Sequence, residues 1–256
     1  MDRRSRTFLI AEGVVIIASI LMAFAIQAAW EELQENQEVE RILKTVLKEH
    51  IQNVAAIEQW EASFGPLADR SMQNALVASA DPSALSIDEF NQLLADVSYY
   101  AAPNVRFYSI ENMIKGGKLA LIEDADLREA LGSWYETVEF YSRKSRTEER
   151  YLDETFIPFL IENAHLPSII GRAGPEGYNY GVLGSSETPT QRDHRSLLQS
   201  NELIGHLTWK YLYVQDYRLT NSAYLENHRT LGEQLVAALG LPTGEYARLL
   251  EQQTAR

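Results

Sequence analysis

Residues 11–32 read AEGVVIIASILMAFAIQAAWEE and form the most apolar stretch of this 256-residue chain. The apolar run extends from Phe8 to Trp30. At 1.5 Å per residue, a helix of this length is ~34 Å long. The hydrocarbon core of a bilayer is ~30 Å thick, so such a helix can cross it with some tilt. The sequence therefore predicts one transmembrane helix over residues 8–30.

A cleaved signal peptide is the alternative interpretation of the same stretch. The chain starts with basic residues, and Ala23–Ala25 has the A-x-A pattern of a cleavage site. However, the apolar run continues to Ala29, and Glu12 would lie inside the hydrophobic region of the signal. We therefore favour a retained anchor over cleavage after Ala25.

The flanking charges predict the orientation of the anchor. Residues 1–7 carry three arginines, whereas five glutamates and no basic residue occur between Trp30 and Arg41. Basic flanks stay in the cytoplasm, so we expect residues 1–7 to be cytoplasmic and the rest to be exported. This predicts a single-pass membrane protein with an exported domain.

Two residues of the span are candidate contacts with the membrane or a partner. Trp30 is placed to anchor the helix at the far membrane interface. Glu12 lies about one turn from the cytoplasmic edge, where its carboxylate can reach headgroup water. The alternative for Glu12 is a contact with another helix in the membrane.

Two sequence blocks carry a resemblance to a known group. The first consists of Glu12–Gly13, Val15–Ile17, Ser19–Ile26 and Trp30, and the second of Gly117–Ile122, Leu127–Arg128 and Trp134–Tyr135. The first block is similar to the N-terminal pattern E-G-x-V-I-V-x-S-I-L-L-A-F-x-I-D-A-W-W of an uncharacterised family of bacterial single-span membrane proteins, and the second resembles the wider group. This chain departs from the pattern at Gln27 and Ala29, where the group tends to have Asp and Trp. The resemblance implies one span in the bacterial inner membrane and a helical periplasmic domain, and it implies no activity.

The exported part has the pattern of an all-α protein. Residues 31–38 are polar on nearly every face and predict a helical stalk. Apolar residues then recur at spacings of three and four, which predicts helices packed in an antiparallel bundle over residues 39–240. The first amphipathic stripe consists of Leu43, Val46, Leu47, Ile51, Val54 and Ile57.

Local signals predict where the other helices begin and end. Ser86 and Glu89 form a capping box, and Asn104 and Asp124 are candidate caps. Pro158 is expected to kink or restart a long helix, whose charged run 143–150 is interpreted as a solvated face. The last long helix is predicted over residues 201–239, followed by a C-terminal tail or short helix within 241–256.

Residues 166–190 contain five glycines and three prolines, so we expect a long loop there. Loops of this length are often functional. Tyrosines are frequent throughout the chain, and in a helical bundle they commonly line the border between core and water. The alternative is an aromatic pocket or interface with the loop at its rim, for which Arg172, Tyr178 and Tyr180 are the candidate contacts.

Composition excludes some functions. The chain has no cysteine, which excludes disulfides, thiol catalysis and cysteine-bound zinc. After residue 30 it carries 20 basic and 34 acidic residues, obtained by removing the three N-terminal arginines, Asp2 and Glu12 from totals of 23 and 36. This acidic balance disfavours nucleic-acid binding.

No motif in the sequence supports a catalytic, cofactor or metal assignment. Glu162 with His165 is a single Glu-x-x-His, and Glu202 with His206 is best read as a helix-surface pair. The segment 171–177 lacks the ending of a phosphate-binding loop. We therefore predict no cofactor, no metal and no catalytic residues. The preferred function is a membrane-anchored interaction or scaffold module that binds the lipid bilayer and a protein partner or a second copy. A periplasmic ligand-sensing bundle is the alternative, and an enzyme is the third.

Overall fold

The computed structural model describes residues 3–98, 102–170 and 193–254, with side chains from Ile16 onward except those of Phe64, Ala68, Val138, Pro167 and Ile170. Every regular element in these ranges is helical and no strand occurs in them, which confirms the all-α prediction. Short 3-10 turns cover Pro82–Ala84, Lys118–Leu121 and Arg195–Gln199, and a π-helical segment covers Leu152–Phe156. The α helices are α1 (Arg3–Ala62), α2 (Phe64–Ala78), α3 (Ile87–Val97), α4 (Tyr108–Lys115), α5 (Ala125–Tyr151), α6 (Ile157–Asn163), α7 (Leu166–Ile170), α8 (Asn201–Ala238) and α9 (Glu245–Thr254).

Helix α1 is one uninterrupted helix of 60 residues with two different environments. Its side chains from Ile16 to Gln37 are all exposed, and this part is long and apolar enough to cross a membrane. Packing against the rest of the protein begins at Glu38 and Val39. The predicted stripe is buried at all six positions, namely Leu43, Val46, Leu47, Ile51, Val54 and Ile57. The same helix is therefore the candidate span and a central element of the core.

The core forms where α1 packs against α8, α2, α9 and α4, and α8 also packs against α2 and α5. Aromatic side chains fill the centre. The rings of Tyr141 and Tyr217 are stacked with centroids 6.1 Å apart, and Trp60 lies 6.4 Å from Tyr217. Ring pairs at these separations add to the gain from burying apolar area. The tyrosines are thus part of the core as well as of its border.

Helices α5 and α8 run antiparallel, and side-chain pairs fix their register. Tyr151 pairs with His206, Glu148 with Lys210, Lys144 with Asp216, and Tyr141 with Asn221. In each pair the position on α8 rises as the position on α5 falls. Large side chains therefore close the contact between these two helices over this half of α5.

One of these pairs corrects the interpretation of the charged run 143–150. Glu148 is fully buried and Lys210 is 3% exposed, and the ammonium donates a hydrogen bond to the carboxylate. Burial lowers the pKa of Lys210, and the carboxylate of Glu148 opposes that shift. The prediction of a wholly solvated face is wrong at Glu148, because a buried charge on α8 provides its partner.

Two predicted helix starts are confirmed. At α3, the backbone N–H of Glu89 donates to the Ser86 hydroxyl at 3.2 Å, and the backbone N–H of Ser86 donates to the Glu89 carboxylate at 2.7 Å. At α5, the Asp124 carboxylate accepts hydrogen bonds from two backbone N–H groups of the first turn. These local contacts satisfy amide groups that have no partner within their helices.

The predicted cap at Asn104 is wrong. Helix α4 begins at Tyr108, and its cap residue, Phe107, makes no side-chain capping bond. The Glu49 carboxylate on α1 accepts the bond instead, from the backbone N–H of Ser109 at 2.8 Å. A carboxylate at a helix N-terminus is also favoured by the helix dipole. The start of α4 is therefore set by a residue 60 positions away in the chain.

Pro158 restarts a helix, as the sequence predicts, but a π-helical segment precedes it. Pro158 is the second residue of α6, and Leu152–Phe156 form wider turns between α5 and α6. Proline has no N–H to donate and its ring clashes with the preceding turn. A π-helical segment is a recognised way of accommodating such an interruption without ending the helical path.

The prediction of a loop over residues 166–190 is wrong at its start. Residues Leu166–Ile170 form α7, because proline is tolerated in the first turn of a helix. The backbone N–H of Ser168 donates to the carbonyl of His165 at 2.9 Å. The rest of the predicted loop, including Arg172, Tyr178 and Tyr180, lies outside the described residues.

The last helix of the described residues is α9, in agreement with the short helix predicted within 241–256. Tyr246 of α9 is 1% exposed and packs directly on Gly232 of α8. A Cβ atom built on Gly232 would lie 2.3 Å from the tyrosine ring, which is much closer than carbon atoms can approach. Glycine at this position therefore lets α9 dock against α8.

Candidate functional site

A groove lies between residues 102–108, α4 and α5. We call it the arginine groove. Its volume is about 570 Å³. Its charged side chains are four basic ones, Arg106, Lys115, Arg143 and Arg146, and two acidic ones, Glu111 and Glu139. The lining therefore has a formal charge of +2, from four minus two, in a chain whose net charge is −13.

Contacts with α1 and α5 fix the position of the backbone at the edge of this groove. The Asn53 amide donates to the backbone carbonyl of Arg106 at 2.6 Å, and the backbone N–H of Arg106 donates back to the Asn53 carbonyl at 2.7 Å. Phe107 then stacks on Tyr141 of α5 with ring centroids 6.1 Å apart. A buried amide and an aromatic pair thus fix the backbone that carries Arg106.

The acidic side chains of the groove are engaged by neighbours. Glu111 accepts a hydrogen bond from Lys115 one turn along α4. Glu139 accepts one from Tyr135, whose pKa is raised by desolvation and then by this carboxylate. Among the described residues, neither carboxylate forms an ion pair with an arginine of the groove.

The three arginines are available to a ligand. All three are exposed, and their guanidinium groups make no hydrogen bond or ion pair with the residues that the structure describes. A guanidinium group binds carboxylates and phosphates through two parallel hydrogen bonds. Tyr108 stands at the rim with 71% of its surface exposed. Arginine and tyrosine are both enriched where proteins bind one another. The arrangement is suited to binding an anionic group.

A second, smaller cavity of about 330 Å³ lies between α5 and α8 above His50 of α1. We call it the neutral cleft. His50 is fully buried, and its Nε2–H donates to the backbone carbonyl of His228 at 2.9 Å. Because a carbonyl can only accept, this bond fixes the tautomer of His50 with its proton on Nε2. The Nδ1 atom of His50 is then an acceptor, and the Tyr224 hydroxyl donates to it at 3.0 Å. Burial lowers the pKa of His50 to about 4.

The neutral cleft has a second hydrogen-bonded pair at its side. Nδ1 of His228 lies 2.8 Å from the hydroxyl of Tyr246, the residue that packs on Gly232. Desolvation, followed by the charge of Arg229, lowers the pKa of His228. Both histidines are therefore neutral at pH 7. Sequence analysis missed this cluster because His50 and His228 are 178 positions apart and neither belongs to a recognisable motif.

The residues singled out from the sequence have different outcomes. Glu12 lies in α1, but its side chain is outside the described part, and Trp30 is 59% exposed on the apolar half of α1. His206 forms a hydrogen bond with the Tyr151 hydroxyl on α5. Burial lowers the pKa of His206, and the charge of Glu202 on the same helix partly opposes this shift. His165 bonds Ser168 at 2.6 Å.

Among residues with described side chains, no group of three or more His, Asp or Glu side chains is arranged to hold a metal ion. Comparison of the chain with protein-family models, with curated protein sequences and with solved structures finds no match.

Proposed function

We propose that the chain is a single-span inner-membrane protein whose periplasmic helical bundle binds an acidic protein partner in the arginine groove. The observation that carries this proposal is the set of three unpaired guanidinium groups in one groove of an otherwise acidic protein. Electrostatic complementarity of this kind steers association and selects partners. The proposal assigns no reaction to the protein.

The membrane topology is supported by α1 and by the sequence. The apolar half of α1 from Ile16 to Trp30 packs against nothing in the described structure and has the length and composition of a span. The basic N-terminus and the acidic stalk favour a cytoplasmic start and an exported body. The resemblance of Glu12–Ile26 to the single-span group is consistent with the same arrangement.

The position of the groove favours a protein partner over lipid. Asn53, which holds the groove edge, comes 23 residues after Trp30 on the same helix. At 1.5 Å per residue this places the groove ~35 Å beyond the membrane interface. Anionic headgroups at that distance are several Debye lengths away, so their attraction is screened at physiological salt. We therefore propose an acidic protein segment as the occupant.

In-cell crosslinking tests the proposal. A photo-crosslinking amino acid at Tyr108, on the groove rim, is expected to capture one discrete protein, and the same group at Leu219 of α8 is not. Leu219 is a matched control because the two side chains are 71% and 72% exposed. The combined change Arg143→Glu and Arg146→Glu should abolish the crosslink from Tyr108.

The control for charge is Arg150→Glu, which changes an exposed arginine of α5 outside the groove. It should leave the crosslink intact. Capture by Tyr108 that survives reversal of both groove arginines would contradict the proposed site. A crosslinked species at twice the mass of the chain would instead identify a second copy as the occupant, and this would contradict the acidic-partner proposal.

A ligand-sensing bundle is the second candidate function. The neutral cleft favours it, because its floor is a residue of the same helix that forms the candidate span. A third possibility, an enzyme, has no residues in the described structure to which we assign a reaction.

A further inference from the structure

Side chains fill the space between α5 and α8 along one half of α5 and leave a cavity along the other half. Tyr151, Glu148 and Tyr141 on α5 meet long side chains of α8, as described above. Continuing the same register toward the start of α5 brings Ser133 and Thr137 opposite Ala223 and Asn227. These side chains are too short to fill the space between the two helices. The small residues at this end of the helix pair therefore leave the neutral cleft open.

The chemistry of the cleft differs from that of the chain as a whole. Charged residues make up 23% of the sequence, yet none of the 13 residues lining the cleft is Asp, Glu, Lys or Arg. Its two histidines are neutral because burial lowers the pKa of each. A charged ligand here would leave water without a charged side chain in the lining to pair with it, which is unfavourable.

The lining is nevertheless polar. Four hydroxyl side chains and the amides of Asn227 and Gln234 line the cleft, beside Trp134 and Tyr224. The Gln234 Oε1 atom is buried and accepts no hydrogen bond from the described residues. The Nδ1 atom of His228 is engaged by Tyr246, which leaves the Nε2 atom of that ring for a ligand. A wholly apolar ligand would bury these groups without partners, so it is disfavoured as well.

We infer that the neutral cleft binds a small uncharged, hydroxyl-rich molecule of monosaccharide size. Hydroxyl and amide side chains both donate and accept hydrogen bonds, as sugar hydroxyls do. The aromatic and aliphatic side chains of the cleft provide contact for the C–H face of a sugar ring. The volume of about 330 Å³ is at the lower end of the range of ligand pockets. This inference is independent of the acidic partner proposed for the arginine groove.

Calorimetric titration of the full chain tests the inference, in a detergent without a sugar headgroup. The probes are glucose and N-acetylglucosamine, with glucuronate as a charged analogue of glucose. At least one neutral sugar is expected to bind with one site per chain, and glucuronate is expected to bind at least about tenfold more weakly. The absence of binding by both neutral sugars, or equal binding of glucose and glucuronate, would overturn the inference.

Two variants one position apart locate the site. Ala223→Phe places a ring in the opening of the cleft, and Ser222→Phe places the same ring on the exposed surface of α8 beside it. Both positions are exposed, so both variants should melt within a few degrees of the native protein. Ala223→Phe should abolish sugar binding and Ser222→Phe should leave it unchanged. Binding that survives Ala223→Phe would place the sugar elsewhere and refute the assignment.

Discussion

Protonation of His50 should make the stability of the protein depend on pH between 7 and 5. In the folded protein, burial lowers the pKa of His50 from 6.5 to about 4. The unfolded chain therefore binds a proton first as the pH falls, and the folded state loses stability. The contribution of the neutral His50 is fully present above pH 6.5 and declines as the pH falls towards 4.

The two pKa values set the size of this effect. Between pH 7 and pH 5 the loss in the free energy of unfolding is about 2 kcal/mol, and the full loss below pH 4 is about 3 kcal/mol. Urea unfolding of the full chain in a nonionic detergent, followed by tryptophan fluorescence, measures it. We expect the apolar half of α1, the candidate span, to stay in the micelle, so that the transition reports the packed helices.

His206 and His228 have lowered pKa values too, since burial disfavours their charged forms, and they add to the loss in the native protein. The contribution of His50 is therefore obtained from the variant His50→Gln. This variant is less stable at pH 7, but it should lose about 2 kcal/mol less than the native protein between pH 7 and pH 5. His165→Gln, which removes a histidine outside the cluster, should keep the full loss. Equal losses in His50→Gln and the native protein would refute the reasoning.

Three further substitutions test the packing described above. Gly232→Ala should displace Tyr246 and lower the melting temperature by several degrees, because the added methyl group overlaps the tyrosine ring; an unchanged melting temperature would show that α9 does not dock there. Lys210→Met should cost about 3–5 kcal/mol in the free energy of unfolding because it removes the buried ion-pair partner of Glu148, and adding Glu148→Leu should recover most of it; a double variant no more stable than the single one would contradict this. Ser86→Ala should cost about 1 kcal/mol through loss of the capping box, measured by the same urea unfolding, and a cost near zero would show that the cap is not needed.

The sequence was sufficient to predict features that depend on neighbouring residues. The stripe from Leu43 to Ile57 is buried at every predicted position, and the helix starts at Ser86 and Asp124 are as predicted. In each case the signal lies within a few residues, where helix periodicity and capping chemistry apply.

Features that depend on distant residues could not be predicted from local patterns. Asn104 is a good local cap, but Glu49 and Asn53 of α1 hold the backbone near it and move the start of α4 to Tyr108. In the charged run 143–150, spacing alone does not show which residues face a groove, a buried lysine or water. The structure places Arg143 and Arg146 in the groove and Glu148 against Lys210.

The candidate sites also differ in whether they depend on neighbouring or on distant residues. Arg172, Tyr178 and Tyr180 were chosen from local composition, and they stay a prediction outside the described residues. The arginine groove and the neutral cleft both depend on contacts made across the fold, between α1 and residues 102–108 and between α5 and α8. Their residues belong to no recognisable motif in the sequence, and only the three-dimensional arrangement brings them together.

The continuity of α1 has a mechanical consequence for the proposed topology. The helix is continuous between Trp30 and Glu38. In the proposed topology, the rotation of α1 about its own axis would therefore set the direction in which the groove faces, parallel to the membrane plane. Each residue added to the stalk would turn the body by about 100° and raise it by about 1.5 Å. A partner fixed in the same membrane would then meet the groove only at certain stalk lengths, in steps of about 3.6 residues. In the proposed topology, the length of the stalk would therefore set the angle at which the protein meets a membrane-bound partner.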